Sequence, residues 1–352
     1  MKNILEDDFS GILDSKIDFE KFRNKSFLIS GATGLIGSLV IRFLLFANQL
    51  LDLNMTVYAL VRNKEKALKI YGNKNSHLKF VLNDLESEEP IKISFDIDFI
   101  IHAAAITTSK LMISNPVNVI ETSINGTKKL LDFANNEKKV SFIYISSMEV
   151  YGRMNNSGKI TESELGYLNL NNIRSCYPES KRLCEILCRS YSEQFNVNVK
   201  IARLAQTFGA GILPSENRVF AQFARSVIKG ENIILHTNGS SEGNYVYTAD
   251  VIEAMLIMLL NGKSGEVYNI SNEDSHVTIR QMADLVIRSF GSKNQKVVID
   301  IPKENMGYAP ETKLWLSNKK MRDLGWLPKF GLIESYQRMI NWMKTDEFLN
   351  LE

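Results

Sequence analysis

Tyr177 and Lys181, four residues apart, are the pair in this 352-residue chain with the most chemistry to offer. On a helix that spacing puts both side chains on one face, where they address the same point. Pro178 suits a first helical turn and so sets Tyr177 at the helix start. A free phenol, with a pKa of about 10, is a poor base at neutral pH, and a neighbouring ammonium favours the phenolate and lowers that value. Upstream, a short apolar run ends in two hydroxyls within Ile145-Ser-Ser-Met-Glu-Val-Tyr-Gly152. Ser147 can hydrogen-bond the oxygen that Tyr177 deprotonates. Glu149, two residues on, can move a second proton or orient a water.

A second constellation lies near the start, in Phe27-Leu-Ile-Ser-Gly31-Ala-Thr-Gly34-Leu-Ile-Gly37. This reads as a strand, a tight turn and a helix N-terminus. A dinucleotide pyrophosphate needs backbone close by, without Cβ atoms, and free N–H groups to meet its charge. Gly31 and Gly34 supply the turn and the close approach, Gly37 lets the helix lie against the strand, and Thr33, Leu35 and Ile36 complete the loop. The next strand ends in Arg62 where an acid would bind the ribose 2′-hydroxyl of NAD. An arginine suits a 2′-phosphate, so the expected cofactor is NADP, with NAD the alternative.

The elements around these residues set their positions. Apolar runs at 26–29, 57–61, 78–82, 98–103, 141–146 and 199–203 alternate with helical patterns at 34–51, 116–135 and 178–195. Continuous apolar strands between helices imply an α/β fold, a Rossmann-type doubly wound parallel sheet covered on both faces. Residues 1–24 read as a helical N-terminal extension, 25–205 as the dinucleotide-binding domain, and 206–352 mainly as a smaller α/β substrate domain. Segments near 245–270 are expected to return to the first domain.

Composition excludes several classes. A formal charge of +2 gives no case for nucleic acid or an anionic membrane surface. No apolar run has the length of a membrane span. Three cysteines and four scattered histidines fit no metal spacing, so no metal is expected. The cysteine count and the acidic, amphipathic start point to the cytoplasm.

The order of these motifs resembles the extended short-chain dehydrogenase/reductase family, of the epimerase/dehydratase type. The resemblance rests on the Gly-x-x-Gly-x-x-Gly spacing, Asn83-Asp84-Leu85, Ile101-His-Ala-Ala-Ala105, Ser147 and Tyr177-x-x-x-Lys181. Arg203-Leu-Ala-Gln-Thr-Phe-Gly209, Val267-Tyr-Asn-Ile-Ser271 and Leu324-Gly-Trp-Leu-Pro328 extend it to about residues 25–343. It implies that Asp84 and Leu85 lie against adenine, that Ala103, Ala104 and Ala105 run beneath the cofactor, and that Tyr177 and Lys181 contact it as well. It further implies a sugar-nucleotide substrate oxidised at C4 and a homodimer built through a four-helix bundle, with Leu183, Ile186, Leu187 and Tyr191 as its stripe.

Ser147-Met148-Glu149 is similar to the Ser/Thr-x-Glu of 4,6-dehydratases and UDP-glucuronate decarboxylases. The chain departs from the family pattern in three places. Met148 replaces the acid of one dehydratase branch, Gln206 replaces a substrate-contacting Asn, and Gly243 replaces a diphosphate-contacting Arg. Met148, Gln206, Arg218 and Tyr245 are the remaining expected substrate contacts, with Arg218 offering the missing cation. The leading expectation is a decarboxylase-like or dehydratase-like lyase. An epimerase, an NADP-dependent ketone reductase on a non-nucleotide substrate, and a non-catalytic cofactor-binding regulator remain open.

Overall fold

A computed structural model of the chain describes residues 3–73, 75–87, 89–137, 139–155, 158–302 and 311–350, so the first two residues of the expected N-terminal extension lie outside it. The first half of the chain alternates strands with helices, apart from the consecutive strands β3 and β4 and the consecutive helices α4 and α5. Helix α1 (Ile4–Leu13) is followed by β1 (Ser26–Ser30), α2 (Leu35–Leu51), β2 (Thr56–Val61), α3 (Lys64–Tyr71), β3 (Leu78–Leu82), β4 (Phe99–His102), α4 (Ser109–Ser114), α5 (Pro116–Asn136), β5 (Ser141–Ser147), α6 (Cys176–Phe195) and β6 (Asn198–Leu204). Strands β1, β4 and β5 are buried almost throughout, because helices cover both faces of the sheet.

The second half holds β7 (Gln206–Phe208), α7 (Val219–Lys229), β8 (Ile233–Leu235), β9 (Glu242–Tyr247), α8 (Thr248–Asn261), β10 (Val267–Ile270), β11 (Asn272–Thr278), α9 (Ile279–Phe290), β12 (Val297–Ile299), α10 (Lys319–Asp323), α11 (Leu332–Met343) and α12 (Asp346–Leu349). Seven strands form one sheet in the order β10-β6-β5-β4-β1-β2-β3, with every neighbouring pair parallel. Strand β10 joins its edge beside β6, and α8 packs on β5, β6 and α2. Strand β9 stays in a separate sheet of order β11-β9-β7, and β8 pairs with β12.

Between β1 and β4 the strand order reverses, the point at which sheets of this kind form a crevice outside the carboxyl ends of their strands. The loops after β1, β4 and β5 therefore meet at one edge. Helix α1 closes the far side of α2, where Phe9 packs on Phe43 and Phe46. Its buried Asp8 accepts hydrogen bonds from Tyr247 Oη at 2.6 Å and Arg338 Nη1 at 2.7 Å. Burial raises the Asp8 carboxyl to about 6, with Tyr247 and Arg338 opposing the shift.

Candidate active site

The three loop glycines serve three different purposes. Gly31 has φ +66°, and a Cβ there would lie 2.6 Å from the backbone of Ala103 and Ala104. It lets the turn after β1 touch the exit of β4. A Cβ on Gly37 would lie 2.8 Å from the Gly31 carbonyl carbon, so that glycine seats α2 against the turn. Gly34 is exposed, has ordinary extended backbone and would meet only the Gly31 oxygen, at 3.3 Å. It caps α2 with no side-chain hydrogen bond. The N–H groups of Leu35 and Ile36 at that end have no acceptor within the helix and suit a pyrophosphate. Thr33 lies half-buried beside them, and the Tyr71 hydroxyl ties the loop down through the Ala32 carbonyl.

His102 holds the β4 exit. Its Nε2 lies 3.1 Å from Thr127 Oγ1, which donates to the Ser123 carbonyl, so Nε2 must carry the proton. Nδ1 then accepts from Ser30 Oγ at 2.7 Å, and the same hydroxyl accepts the Ala104 N–H at 3.3 Å. Burial, and secondarily Lys181, depress the imidazole to about 3, which keeps it neutral. Ala103, Ala104 and Ala105 follow as a half-buried run of small side chains.

Alternation along β5 separates the two hydroxyls. Ser146 points into the protein and donates to Glu185 Oε1 at 2.5 Å, where Arg203 Nη2 also binds Glu185, at 2.7 Å. Ser147 lies on the opposite side of the strand, accepts the Glu149 N–H at 3.2 Å and sits close enough to the Tyr177 phenol to favour its ionised form. Tyr177 and Lys181 share one face of α6 and are 6% and 4% exposed.

The surroundings of Tyr177 set its phenol against ionisation. Burial first, and Glu149 second, push the phenol well above its ordinary value, against Ser147, Arg218 and Arg174. The Lys181 ammonium is held elsewhere. It donates to the Ile145 carbonyl at 2.7 Å and lies 4.7 Å over the Tyr144 ring, against 5.9 Å for Tyr177. Desolvation lowers it to about 8.

Glu149 meets a residue that the motifs did not reveal. Arg174 forks onto both its oxygens, Nη1 to Oε2 at 2.6 Å and Nη2 to Oε1 at 3.0 Å. The two lie 25 positions apart and share no periodic pattern, so no local signal pairs them. Arg218 sits close enough to pull the Tyr177 phenol down, but Glu216 grips it at 2.6 and 3.0 Å.

Other expected contacts lie differently. Met148 is buried, and its Cε would sit 3.7 Å from a Cβ at Gly243, so the two departures from the family pattern are neighbours. Gln206 is half-buried and pairs with Tyr245 in the small sheet. Tyr245 does not face the crevice; it is 5% exposed and packs edge-on against Phe208, because β9 turns that side into the core. Asp84 is exposed and its Oδ1 caps its own turn through the Glu86 N–H at 3.0 Å, while Leu85 packs inward on Gly126. Arg62 stands 65% exposed, 3.7 Å from Glu86. The described residues contain no cluster suited to a metal ion and no helix long and apolar enough to cross a membrane.

The family model for the NAD dependent epimerase/dehydratase family matches residues 27–271. Among curated proteins, the chain is 27% identical to dTDP-D-glucose 4,6-dehydratase of Homo sapiens over 92% of this chain and 91% of that one. It is 29% identical to UDP-glucuronic acid decarboxylase 3 of Arabidopsis thaliana over 90% and 88%. Among solved structures, dTDP-glucose 4,6-dehydratase from Streptomyces venezuelae, with NAD bound, superposes with a TM-score of 0.75 at 24% identity, covering 93% of this chain and 100% of the other.

Proposed function

The chain belongs to the NAD dependent epimerase/dehydratase family, and from that premise we propose that it modifies a sugar nucleotide by transient oxidation at C4, as a lyase of the UDP-glucuronate decarboxylase kind. The observation that carries this reading is the meeting of Ser147, Glu149 and Tyr177 at the crevice edge that also holds the glycine loop. Gly31, Gly34 and Gly37 with the Leu35 and Ile36 N–H groups would hold the dinucleotide. When bound, its nicotinamide accepts and returns a hydride, and its oxidised ring is a cation. Tyr177 takes the proton of the C4 hydroxyl while Ser147 holds the same oxygen. With C4 a ketone, the C6 carboxylate of a glucuronate is a β-keto acid and leaves as carbon dioxide. Glu149 orients the proton source for C5.

Decarboxylation is preferred to dehydration because Met148 is a thioether and has no proton for a departing hydroxyl. Mass spectrometry of product from UDP-glucuronate and from dTDP-glucose tests the choice. Loss of carbon dioxide supports it, loss of water makes the chain a dehydratase, and altered retention at unchanged mass makes it an epimerase. Glu149→Gln should still reduce the dinucleotide in a single turnover yet release product at least about tenfold more slowly. Wild-type turnover in that variant would make Glu149 structural.

The cofactor preference is for NADP, supported by the exposed Arg62 and the missing acid at that strand end. Glu86 competes for the same guanidinium, which limits the margin. NADP should bind several-fold tighter than NAD by calorimetry, and Arg62→Ala should remove the difference. Equal wild-type affinities would refute the preference.

A homodimer through α5 and α6 is supported by exposed apolar side chains, Val117 and Ile120 on α5 with Leu183 and Ile186 on α6. Leu187 and Tyr191, expected in the same stripe, instead pack inward, and the Tyr191 hydroxyl donates to Asp132. Ile186→Glu should convert a light-scattering dimer to a monomer at micromolar concentration. A wild-type monomer would end this proposal. The buried, free thiols of Cys176, Cys184 and Cys188 support residence in a reducing compartment such as the cytoplasm.

A further inference from the structure

Stripping an arginine of water is costly unless a carboxylate answers its charge. For Arg174 that answer is Glu149, through two parallel hydrogen bonds, with the side chains only 11% and 26% exposed. The Arg174 Nε–H is buried with no partner, so the guanidinium is committed to the bridge by its two ends alone.

The location of the bridge matters as much as its geometry. Glu149 lies on the 3-10 turn Met148–Tyr151, which continues β5 directly beyond Ser147. Arg174 lies on the 3-10 turn Ile173–Ser175, which runs directly into α6 and Tyr177. The bridge thus joins the two segments that carry the serine and the tyrosine. Both partners act on the Tyr177 phenol, and with opposite sign: Glu149 disfavours the phenolate and Arg174 favours it.

Resting on the reading of Tyr177 as the group that exchanges the C4 hydroxyl proton, we propose that Arg174 is a positioning residue for that reaction. It clamps both oxygens of Glu149, ties the end of β5 to the start of α6, and presents the tyrosine with an ion pair in place of a lone carboxylate. Each Glu149 oxygen accepts one hydrogen bond of the fork, which fixes the plane of the carboxylate and leaves each oxygen further lone-pair capacity. The charged and titratable groups facing Tyr177 are Lys181 and Cys176 on α6, Tyr144 on β5, Glu149 and Arg174 on the two turns, and Arg218 at the start of α7.

The test is the pH profile of the first hydride transfer, followed as single-turnover absorbance of the reduced nicotinamide in the full-length protein. Tyr177 works as the phenolate, so anything that raises its pKa moves the rising limb to higher pH. Arg174→Gln leaves the carboxylate unanswered and should move that limb up by about one unit, roughly a tenfold loss at a fixed pH below it. Glu149→Gln should move it down, the double variant should fall between the two, and Arg174→Lys should restore most of the wild-type profile. Without ligand, the double variant should melt a few degrees above Arg174→Gln, since an unpaired buried charge is worse than none.

Limbs that stay fixed while only amplitudes fall would overturn the proposal. So would a double variant that melts no higher than Arg174→Gln. Should Arg174→Gln fail to fold, Glu149→Gln and Arg174→Lys decide, the first by a lowered limb and the second by an unmoved one. Hydride transfer surviving in Tyr177→Phe would instead sink the reading of the tyrosine. An inactive Tyr177→Phe with immobile limbs in the other variants refutes only the role of Arg174.

Discussion

Tyr177→Phe is expected to slow the first hydride transfer by roughly 10²–10⁴-fold, the usual contribution of a positioned acid–base group. The substitution removes one oxygen and leaves a ring of the same shape, packed as before with Met112, Val119 and Cys176. Ser147 still accepts the Glu149 N–H, so the stability cost should stay within about 1 kcal/mol. Dinucleotide affinity, set by the glycine loop, should change by no more than about twofold. Single-turnover absorbance gives the rate, calorimetry the affinity and chemical denaturation the stability. A slow variant that has also lost cofactor would show only that the site had collapsed. A variant that transfers hydride at the wild-type rate would mean that another group handles the proton.

The second large effect separates two glycines that look alike in the motif. Gly31→Ala should destabilise the ligand-free protein by about 2–4 kcal/mol. The left-handed backbone at φ +66° costs a side chain about 1–2 kcal/mol. The rest comes from moving Ala103 and Ala104 away from a Cβ 2.6 Å from their backbone. Gly34→Ala meets neither obstacle and should cost less than about 1 kcal/mol. Its methyl group would nonetheless occupy the space at the α2 N-terminus, and dinucleotide affinity should fall at least about tenfold. Denaturation without ligand and calorimetry with it distinguish the two variants. Undiminished affinity in Gly34→Ala would show that the helix N-terminus is not where the pyrophosphate binds.

What the sequence determined by itself is what short-range sterics and periodicity control. The strand 78–82 is found where its apolar run lies, and β1, β2 and β5 differ from their runs by a residue or so at an end. A parallel sheet buried on both faces leaves its strands uniformly apolar, and the chain writes that plainly. Gly31 and Gly37 answer backbone contacts within a few residues or one strand away. Tyr177 and Lys181 share a face because helical pitch requires it. Less was legible where packing overrides pattern. Strand β7 is three residues long, β11 runs through Glu273, Asp274 and His276, and α3 and α4 are short. None of these carries a period long enough to read.

Tertiary structure alone decided the electrostatics and the facing of individual side chains. Ser146 and Ser147 are chemically identical neighbours, and only the packing of α6 against β5 gives one to Glu185 and the other to the crevice. The phenol of Tyr177 rises because it is desolvated, a property of everything folded around it, and the lysine beside it in sequence is drawn to the Ile145 carbonyl and the Tyr144 face instead. Tyr245 reads as a site residue but is turned into the core by its strand. Arg174 finds Glu149, and Asp8 finds Tyr247 and Arg338, across distances in sequence that no motif spans. Steric and periodic requirements are settled among near neighbours, whereas charge pairing and desolvation depend on which distant segments close over a group.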